Sequence, residues 1–234
     1  MKTCVLLALF LMAGVSLGDI QKRIEEGGRP CTADETKSFV FITRCSGTVI
    51  GDGNWVITTK HCEGDGGKYD IEDVNLNLKV TSKKTFPHNT ADIMLIKGKT
   101  GMPGMPLVSE DDCSQVMDLI YINPVKMVIS ARDTKVKKTT GTDASMCADI
   151  NVKGWTTEKA QLKKPMQKVL TWTPLACDSC DGDSGAGIIY NNALFAVHSG
   201  AGEHYGQDKI MYSGYVVCDG KIRKWIVKTM KDNP

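Results

Sequence analysis

The chain lacks several features that mark large classes of proteins. Its net charge is only +2 over 234 residues and its lysines are scattered, so it has no basic stripe of the nucleic-acid-binding kind. After residue 18, no apolar run is long enough to cross a bilayer. Cys177-x-x-Cys180 has one zinc-like spacing, but no second pair or matching histidine pair completes it, and there is no Asn-x-Ser/Thr acceptor for N-glycans. We therefore expect no nucleic-acid partner, no membrane partner, no metal and no cofactor.

The first residues form a distinct segment. Lys2 precedes an apolar run from Val5 to Val15, and small residues follow that run. This pattern predicts a secretory signal peptide over residues 1–18. The mature protein is then expected to be secreted and extracellular. Lys22-Arg23 is a dibasic pair on an exposed chain end and predicts a propeptide over residues 19–23. An uncut, mobile terminus is the alternative.

The cysteine count indicates a disulfide framework. Nine cysteines are present, and Cys4 belongs to the predicted signal peptide, so an even number remains in a chain expected to be exported. The sequence by itself leaves their pairing open. The remaining cysteines are Cys31, Cys45, Cys62, Cys113, Cys147, Cys177, Cys180 and Cys218.

Most of the chain consists of short apolar or alternating runs separated by glycine and proline. Such runs predict an all-β fold of the sandwich or barrel type. A seam between two halves is expected near Pro103, Pro106 and the acidic residues 110–112. The predicted strands are Phe39–Thr43, Ser46–Ile50, Trp55–Thr58, Val74–Val80, Ile93–Ile96, Asp118–Ile122, Lys126–Ser130, Ala148–Val152, Gln167–Thr171, Gly187–Tyr190, Leu194–Val197 and Met211–Val217.

The C-terminal segment changes to a helical period. Ile222, Trp225, Ile226 and Met230 fall on one face, with lysine and arginine on the other, which predicts a helix over about residues 220–231. The simplest interpretation is a helix packed on the second half as a lid.

Ser184 is the first candidate for chemistry. It lies in a turn with Gly182 and Gly185, and glycine permits backbone angles that aim successive N–H groups at one point. We therefore expect Ser184 to be an acyl-transfer nucleophile, with the N–H groups of Gly182 and Ser184 as its oxyanion hole. The alternative is a glycine-rich surface turn.

Two further residues could activate that serine. His61 follows a buried strand and can accept and return a proton near neutral pH. Asp92 precedes an apolar strand and could orient the imidazole, since serine needs an adjacent base and that base needs a partner. The alternatives are a hydrogen-bonded structural histidine and an exposed aspartate.

These motifs resemble those of trypsin-like members of the chymotrypsin family of serine proteases. Thr58–Cys62 is similar to the family's Thr-Ala-Ala-His-Cys, and Asp92–Ile96 to its Asp-Ile-x-Leu-x. Gly182–Ala186 is similar to its Gly-Asp-Ser-Gly-Gly. Gly154-Trp155 and Trp225-Ile226 also fall where the family has such pairs.

The resemblance covers about residue 24 to the C-terminus and implies a trypsin-like fold. Two packed six-stranded antiparallel β-barrels would span about residues 24–112 and 113–218, with the triad in the cleft between them and the C-terminal helix following. Protein or peptide substrates and proteinaceous protease inhibitors are the implied partners, and a monomer is expected.

The resemblance also assigns roles around the substrate. Asp178 matches the residue at the base of the primary specificity pocket and implies cleavage after Lys or Arg. Ser199 matches the serine that supports the triad aspartate and whose carbonyl helps to hold substrate, and Ala201 takes a nearby substrate-binding position.

Activation and one disulfide are implied in the same way. Arg23–Ile24 resembles the activation bond, and the freed Ile24 amino group would pair with Asp183. Cys45–Cys62 matches the disulfide beneath the histidine. The pairing of the other six cysteines stays open, and Cys113–Cys218 is the one pair that we expect among them.

Several positions depart from the family pattern. The expected mature start carries one extra residue and a glutamate, Gly200 replaces a tryptophan, and Ile210–Gly214 differs at the pocket wall. Two alternatives therefore stay open: a catalytically silent protease-like binding protein or toxin, and an active protease with non-tryptic specificity.

Overall fold

The computed structural model describes residues 28–43, 45–62, 67–73, 78–133, 144–152, 154–158, 167–172, 183–203, 210–218 and 220–234. Fifteen strands in this part of the chain form two antiparallel, barrel-like sheets. The predicted signal peptide, propeptide and activation bond lie outside the described residues.

The first sheet has seven strands in the order β6-β5-β2-β3-β4-β8-β7. Every residue of β2, β3 and β4 is buried, and apolar clusters cover both faces of β3 and β4. Its strands are β2 (Phe39–Ile42), β3 (Cys45–Ile50), β4 (Trp55–Thr58), β5 (Tyr69–Asp73), β6 (Leu78–Ser82), β7 (Lys84–Pro87) and β8 (Met94–Lys97).

The second sheet has eight strands in the order β1-β10-β9-β13-β14-β15-β12-β11. Its β1 comes from the start of the described chain and pairs with β10, with Arg29 opposite Cys147. Its strands are β1 (Gly28–Pro30), β9 (Val125–Asp133), β10 (Ala144–Val152), β11 (Gly154–Glu158), β12 (Gln167–Trp172), β13 (Gly187–Tyr190), β14 (Ala193–Glu203) and β15 (Ile210–Val216).

These sheets confirm the predicted fold class and add detail to it. Each described sheet has more than six strands, because short segments such as β1 and β7 pair at the sheet edges. Four strands, β1, β5, β7 and β11, were not among the predicted runs. Of the predicted strand Val74–Val80, residues 74–77 lie outside the described part, and β6 begins at Leu78.

The prediction of a strand at Asp118–Ile122 is wrong. This segment is the end of helix α2 (Glu110–Ile122), which follows the short helix α1 (Ala33–Thr36) in chain order. The Ser109 side chain accepts a hydrogen bond from the Asp112 N–H at 3.1 Å and so caps the helix. Acidic residues in the first turn interact favourably with the helix dipole and so stabilise the helix, and the buried side chains recur at helical spacing. Those buried side chains are Cys113, Val116, Met117 and Ile120.

The C-terminal helix α3 (Gly220–Asp232) has the predicted apolar face. Ile222 and Ile226 are buried in a cluster that contains side chains from both sheets, among them Trp55 and Tyr215. The helix therefore packs across both halves, whereas the prediction assigned it to the second half alone. This shared cluster holds the two sheets against each other.

Three disulfides stabilise the described chain. They join Cys31 to Cys147, Cys45 to Cys62 and Cys113 to Cys218. The second and third are the two pairings named from the sequence, and Cys177 and Cys180 lie outside the described residues. No helix in the described part of the chain is long and apolar enough to span a membrane.

Candidate active site

His61 and Asp92 are in direct contact. His61 lies in a short 3-10 turn, Lys60–Cys62, that follows β4, and the next residue is anchored to β3 by the Cys45–Cys62 disulfide. The Asp92 Oδ2 atom lies 2.5 Å from His61 Nδ1, and its Oδ1 accepts the His61 backbone N–H at 3.0 Å. One carboxylate thus binds both the backbone and the ring of the same histidine. This geometry keeps the proton on Nδ1 and leaves Nε2 as the basic atom.

Ser199 supports the same carboxylate from the second sheet. Its Oγ–H donates to Asp92 Oδ2 at 2.8 Å. Burial alone would raise the pKa of Asp92, but hydrogen bonds from His61 and Ser199 outweigh it and hold that pKa below its usual value. Asp92 therefore stays ionised near neutral pH.

The ionised carboxylate in turn changes the basicity of His61. The hydrogen bond to Asp92 raises the pKa of His61 above its usual 6.5, and partial burial offsets only part of this effect. The imidazole is about half exposed, so it is open to solvent and to a substrate. An imidazole of this kind is suited to general base catalysis at neutral to mildly alkaline pH.

The Ser184 turn lies against the turn that carries His61. The Ser184 carbonyl accepts the Ser46 N–H of β3 at 2.9 Å and is 3.8 Å from Cys62 Sγ. These contacts bring a serine of the second half next to the residue that follows His61. The Ser184 side chain is partly exposed.

Glycine is required at position 185 for this approach. Gly185 has φ +86°, and a Cβ there would lie 2.1 Å from the Ser46 carbonyl oxygen and 2.2 Å from Thr58 Oγ1. The Gly185 N–H donates to the His198 carbonyl at 2.8 Å, which ties the turn to β14. The tight turn therefore holds Ser184 in place from both halves of the molecule.

Other expected site residues have different placements. Asp183 is buried beside Ser184, and its carbonyl accepts the Ala186 N–H at 2.9 Å. Ala201 lies on β14 opposite Tyr212 of β15. Arg23, Ile24, Asp178 and Gly182 lie outside the described residues. Within the described ranges, no group of three His, Cys, Asp or Glu side chains converges as a metal site.

Two residues near the site were not predicted from the sequence. Thr58 is fully buried and its Oγ–H donates to the Ser46 carbonyl at 2.8 Å, beneath Gly185. His198, next to Ser199, is 2% exposed, and its Nδ1 lies 3.0 Å from the Ser213 carbonyl oxygen. Burial lowers the pKa of His198 to about 4, more than the hydrogen bond to Ser213 raises it, and His61 lowers it further. The sequence signal that could have identified His198 is its position directly before Ser199, which lies in a recognised motif.

Comparisons with known proteins identify relatives of this chain. Snake venom serine protease KN1 of Trimeresurus stejnegeri is 23% identical over 237 residues, which cover 87% of each chain. The platelet-aggregating proteinase PA-BJ of Bothrops jararaca is 25% identical over 218 residues, covering 78% of this chain and 85% of that protein.

Solved structures with the same fold include neuropsin, a serine protease expressed in the limbic system of mouse brain. It superposes with a TM-score of 0.59 at 18% identity, over 87% of this chain and 98% of neuropsin. A Glu endopeptidase superposes with a TM-score of 0.62 at 15% identity, over 87% of this chain and 96% of that protein. The family model described as Trypsin matches residues 25–226. Because this model covers well over half of the sequence, the chain belongs to the trypsin family of serine proteases.

Proposed function

We propose that this protein is a secreted serine endopeptidase, made as a zymogen, that hydrolyses peptide bonds after Lys or Arg. The observation that carries the proposal is the hydrogen-bonded chain from Ser199 through Asp92 to His61, beside the Ser184 turn. It supplies an oriented base next to a serine, and serine is a poor nucleophile without one.

The chemistry follows from these positions. Ser184 Oγ attacks the substrate carbonyl carbon while His61 Nε2 takes the hydroxyl proton, and the Asp92 carboxylate stabilises the imidazolium. The developing oxyanion is held by the N–H groups of Gly182 and Ser184. His61 then returns the proton to the leaving amine, and the C–N bond breaks to give the acyl-enzyme. A water molecule, deprotonated by His61, hydrolyses that ester and restores the serine.

Specificity and activation are assigned to the flanking residues. Asp178 selects a basic side chain, while the Ser199 carbonyl and Ala201 bind the substrate backbone. Cleavage after Arg23 frees the Ile24 amino group, which pairs with Asp183 and orders the oxyanion turn. Asp183 is buried and directly precedes Ser184, so its pairing with an amino group would act on the turn that carries the nucleophile.

The test is hydrolysis of an arginyl ester and an arginyl amide before and after cleavage at Arg23. We expect turnover only after cleavage, and its loss in Ser184→Ala. By the precedent of a related triad, removing the serine costs about six orders of magnitude in turnover. A cleaved protein that hydrolyses neither substrate faster than Ser184→Ala would instead support a catalytically silent binding protein.

An active protease with a different primary specificity is the second candidate, and the departure of Ile210–Gly214 from the family pattern at the pocket wall is the observation in its favour. A bulky side chain there would restrict access to Asp178 and favour small or apolar side chains of a substrate. A cleavage profile on a peptide library separates the two. A preference for Lys or Arg supports Asp178 as the determinant, whereas a preference for small or apolar residues refutes it.

A further inference from the structure

Asp92 is held by a tight loop. Residues 88–93 connect β7 to β8, whose ends pair at Pro87 and Met94. The His88 N–H donates to the Ile93 carbonyl at 2.9 Å and closes the base of this loop. The position of the Asp92 carboxylate therefore depends on the conformation of only four residues between His88 and Ile93.

The His88 side chain binds the inside of the same loop. Its Nδ1 lies 2.9 Å from the Ala91 N and 3.2 Å from the Thr90 N, and both N–H groups donate to it. These are the two residues directly before Asp92. An acceptor at Nδ1 requires a neutral ring with its proton on Nε2. Burial, and then the nearby charge of Lys60, lower the pKa of His88 and favour this form.

The ring itself is held by its surroundings. His88 is 8% exposed, and it packs edge-on against Trp225 of α3, with ring centroids 5.0 Å apart. Trp225 in turn packs on the cluster shared by the two sheets. The imidazole thus connects the loop that carries Asp92 to the helix that spans both halves.

We infer that His88 is a positioning residue for catalysis, whose Nδ1 acceptor fixes the Thr90–Ala91 backbone and so aims the Asp92 carboxylate at His61. The inference rests on the proposed function for its kinetic consequence. His88 does not touch the reacting atoms and acts only through the position of Asp92. Its loss should therefore reduce the rate of the chemical step and leave substrate binding unchanged.

The experiment compares four variants of the protein cleaved after Arg23. His88→Asn keeps an acceptor oxygen the same number of bonds from the backbone as Nδ1, whereas His88→Gln moves it one bond further. His88→Ala removes it. Asn89→Ala, an exposed residue of the same loop, is the matched control. We expect kcat to fall by about tenfold to a hundredfold in His88→Ala and His88→Gln at constant KM, since small displacements of catalytic groups have effects of this size.

Rescue separates positioning from stability. His88→Asn loses the ring contact with Trp225, so its Tm should fall, yet its kcat should stay within a few-fold of the wild type, as should that of Asn89→Ala. If kcat falls equally in the Asn and Gln variants, or in neither, the inference is overturned. This comparison holds even where His88→Ala does not fold.

A second readout needs no activity. The proton of the short His61 Nδ1–Asp92 hydrogen bond should give a low-field NMR resonance in histidine-labelled protein. We expect it to persist in His88→Asn and to shift or broaden in His88→Gln. An unchanged resonance in His88→Gln overturns the inference, whereas a wild-type protein with this resonance but no turnover contradicts the proposed function alone.

Discussion

The buried imidazole of His198 should make the folded state sensitive to mild acid. Its pKa is about 4 in the folded protein, because burial disfavours the charged form, and about 6.5 in the unfolded chain. Above pH 6.5 neither state binds the proton, so the group has no effect on stability. As the pH falls below 6.5, His198 binds a proton in the unfolded chain but stays neutral in the folded chain. The free energy of unfolding therefore decreases until about pH 4.

The size of the effect follows from the difference in pKa. A difference of about 2.5 units at about 1.4 kcal/mol per unit amounts to about 3 kcal/mol, of which about 2 kcal/mol is lost between pH 7 and pH 4.5. This is a large share of the roughly 5–15 kcal/mol that stabilises a typical domain. The charge of His61 acts in the same direction, since it too disfavours a proton on His198.

The assay is urea unfolding from pH 7 to pH 4.5, with disulfides intact and in a Ser184→Ala background that prevents self-digestion. The comparison variant is His198→Asn, whose amide can donate to the Ser213 carbonyl but does not titrate. The two proteins share every other ionisable group, so the difference between their pH slopes isolates His198. Parallel slopes for the two proteins would refute the assignment of a buried, neutral His198.

Three further predictions concern the active site. Ser199→Ala removes the hydrogen bond to the charged Asp92 carboxylate, so steady-state kinetics should show kcat lower by about tenfold to a hundredfold and KM nearly constant. An unchanged kcat would contradict the claim that Ser199 supports Asp92. Gly185→Ala forces a Cβ into a β3 carbonyl and should slow fluorophosphonate labelling by at least about a hundredfold, whereas Gly200→Ala, with open space around it, should label normally. The acid limb of kcat/KM should report the pKa of His61 above 6.5, with activity lost as the pH falls through it, and a limb below 6.5 would contradict the Asp92 hydrogen bond.

The sequence predicted the local features of the site better than its contacts. His61, Asp92 and Ser184 each stand in a short motif with a recognisable chemical logic, and a strongly periodic pattern marked helix α3. The contacts among them join residues far apart in the chain, such as Ser199 and Asp92, and depend on how the two sheets pack. Local pattern alone cannot supply that packing.

The errors have physical causes. The apolar residues near Ile120 were interpreted as a strand, although the Ser109 cap and the spacing of Cys113, Val116 and Ile120 favour a helix. The role of His88 could not be predicted, because its partners are backbone N–H groups, which carry no sequence signal.

The central claim is that Ser184 is a nucleophile activated by His61 and Asp92. It is tested most directly by fluorophosphonate labelling of the protein cleaved after Arg23, followed by peptide mapping with mass spectrometry. The account predicts one label per molecule, on Ser184, with a rate that falls by several orders of magnitude in Asp92→Asn, as in a related triad. An unlabelled Ser184, or an equal labelling rate in Asp92→Asn, would contradict it.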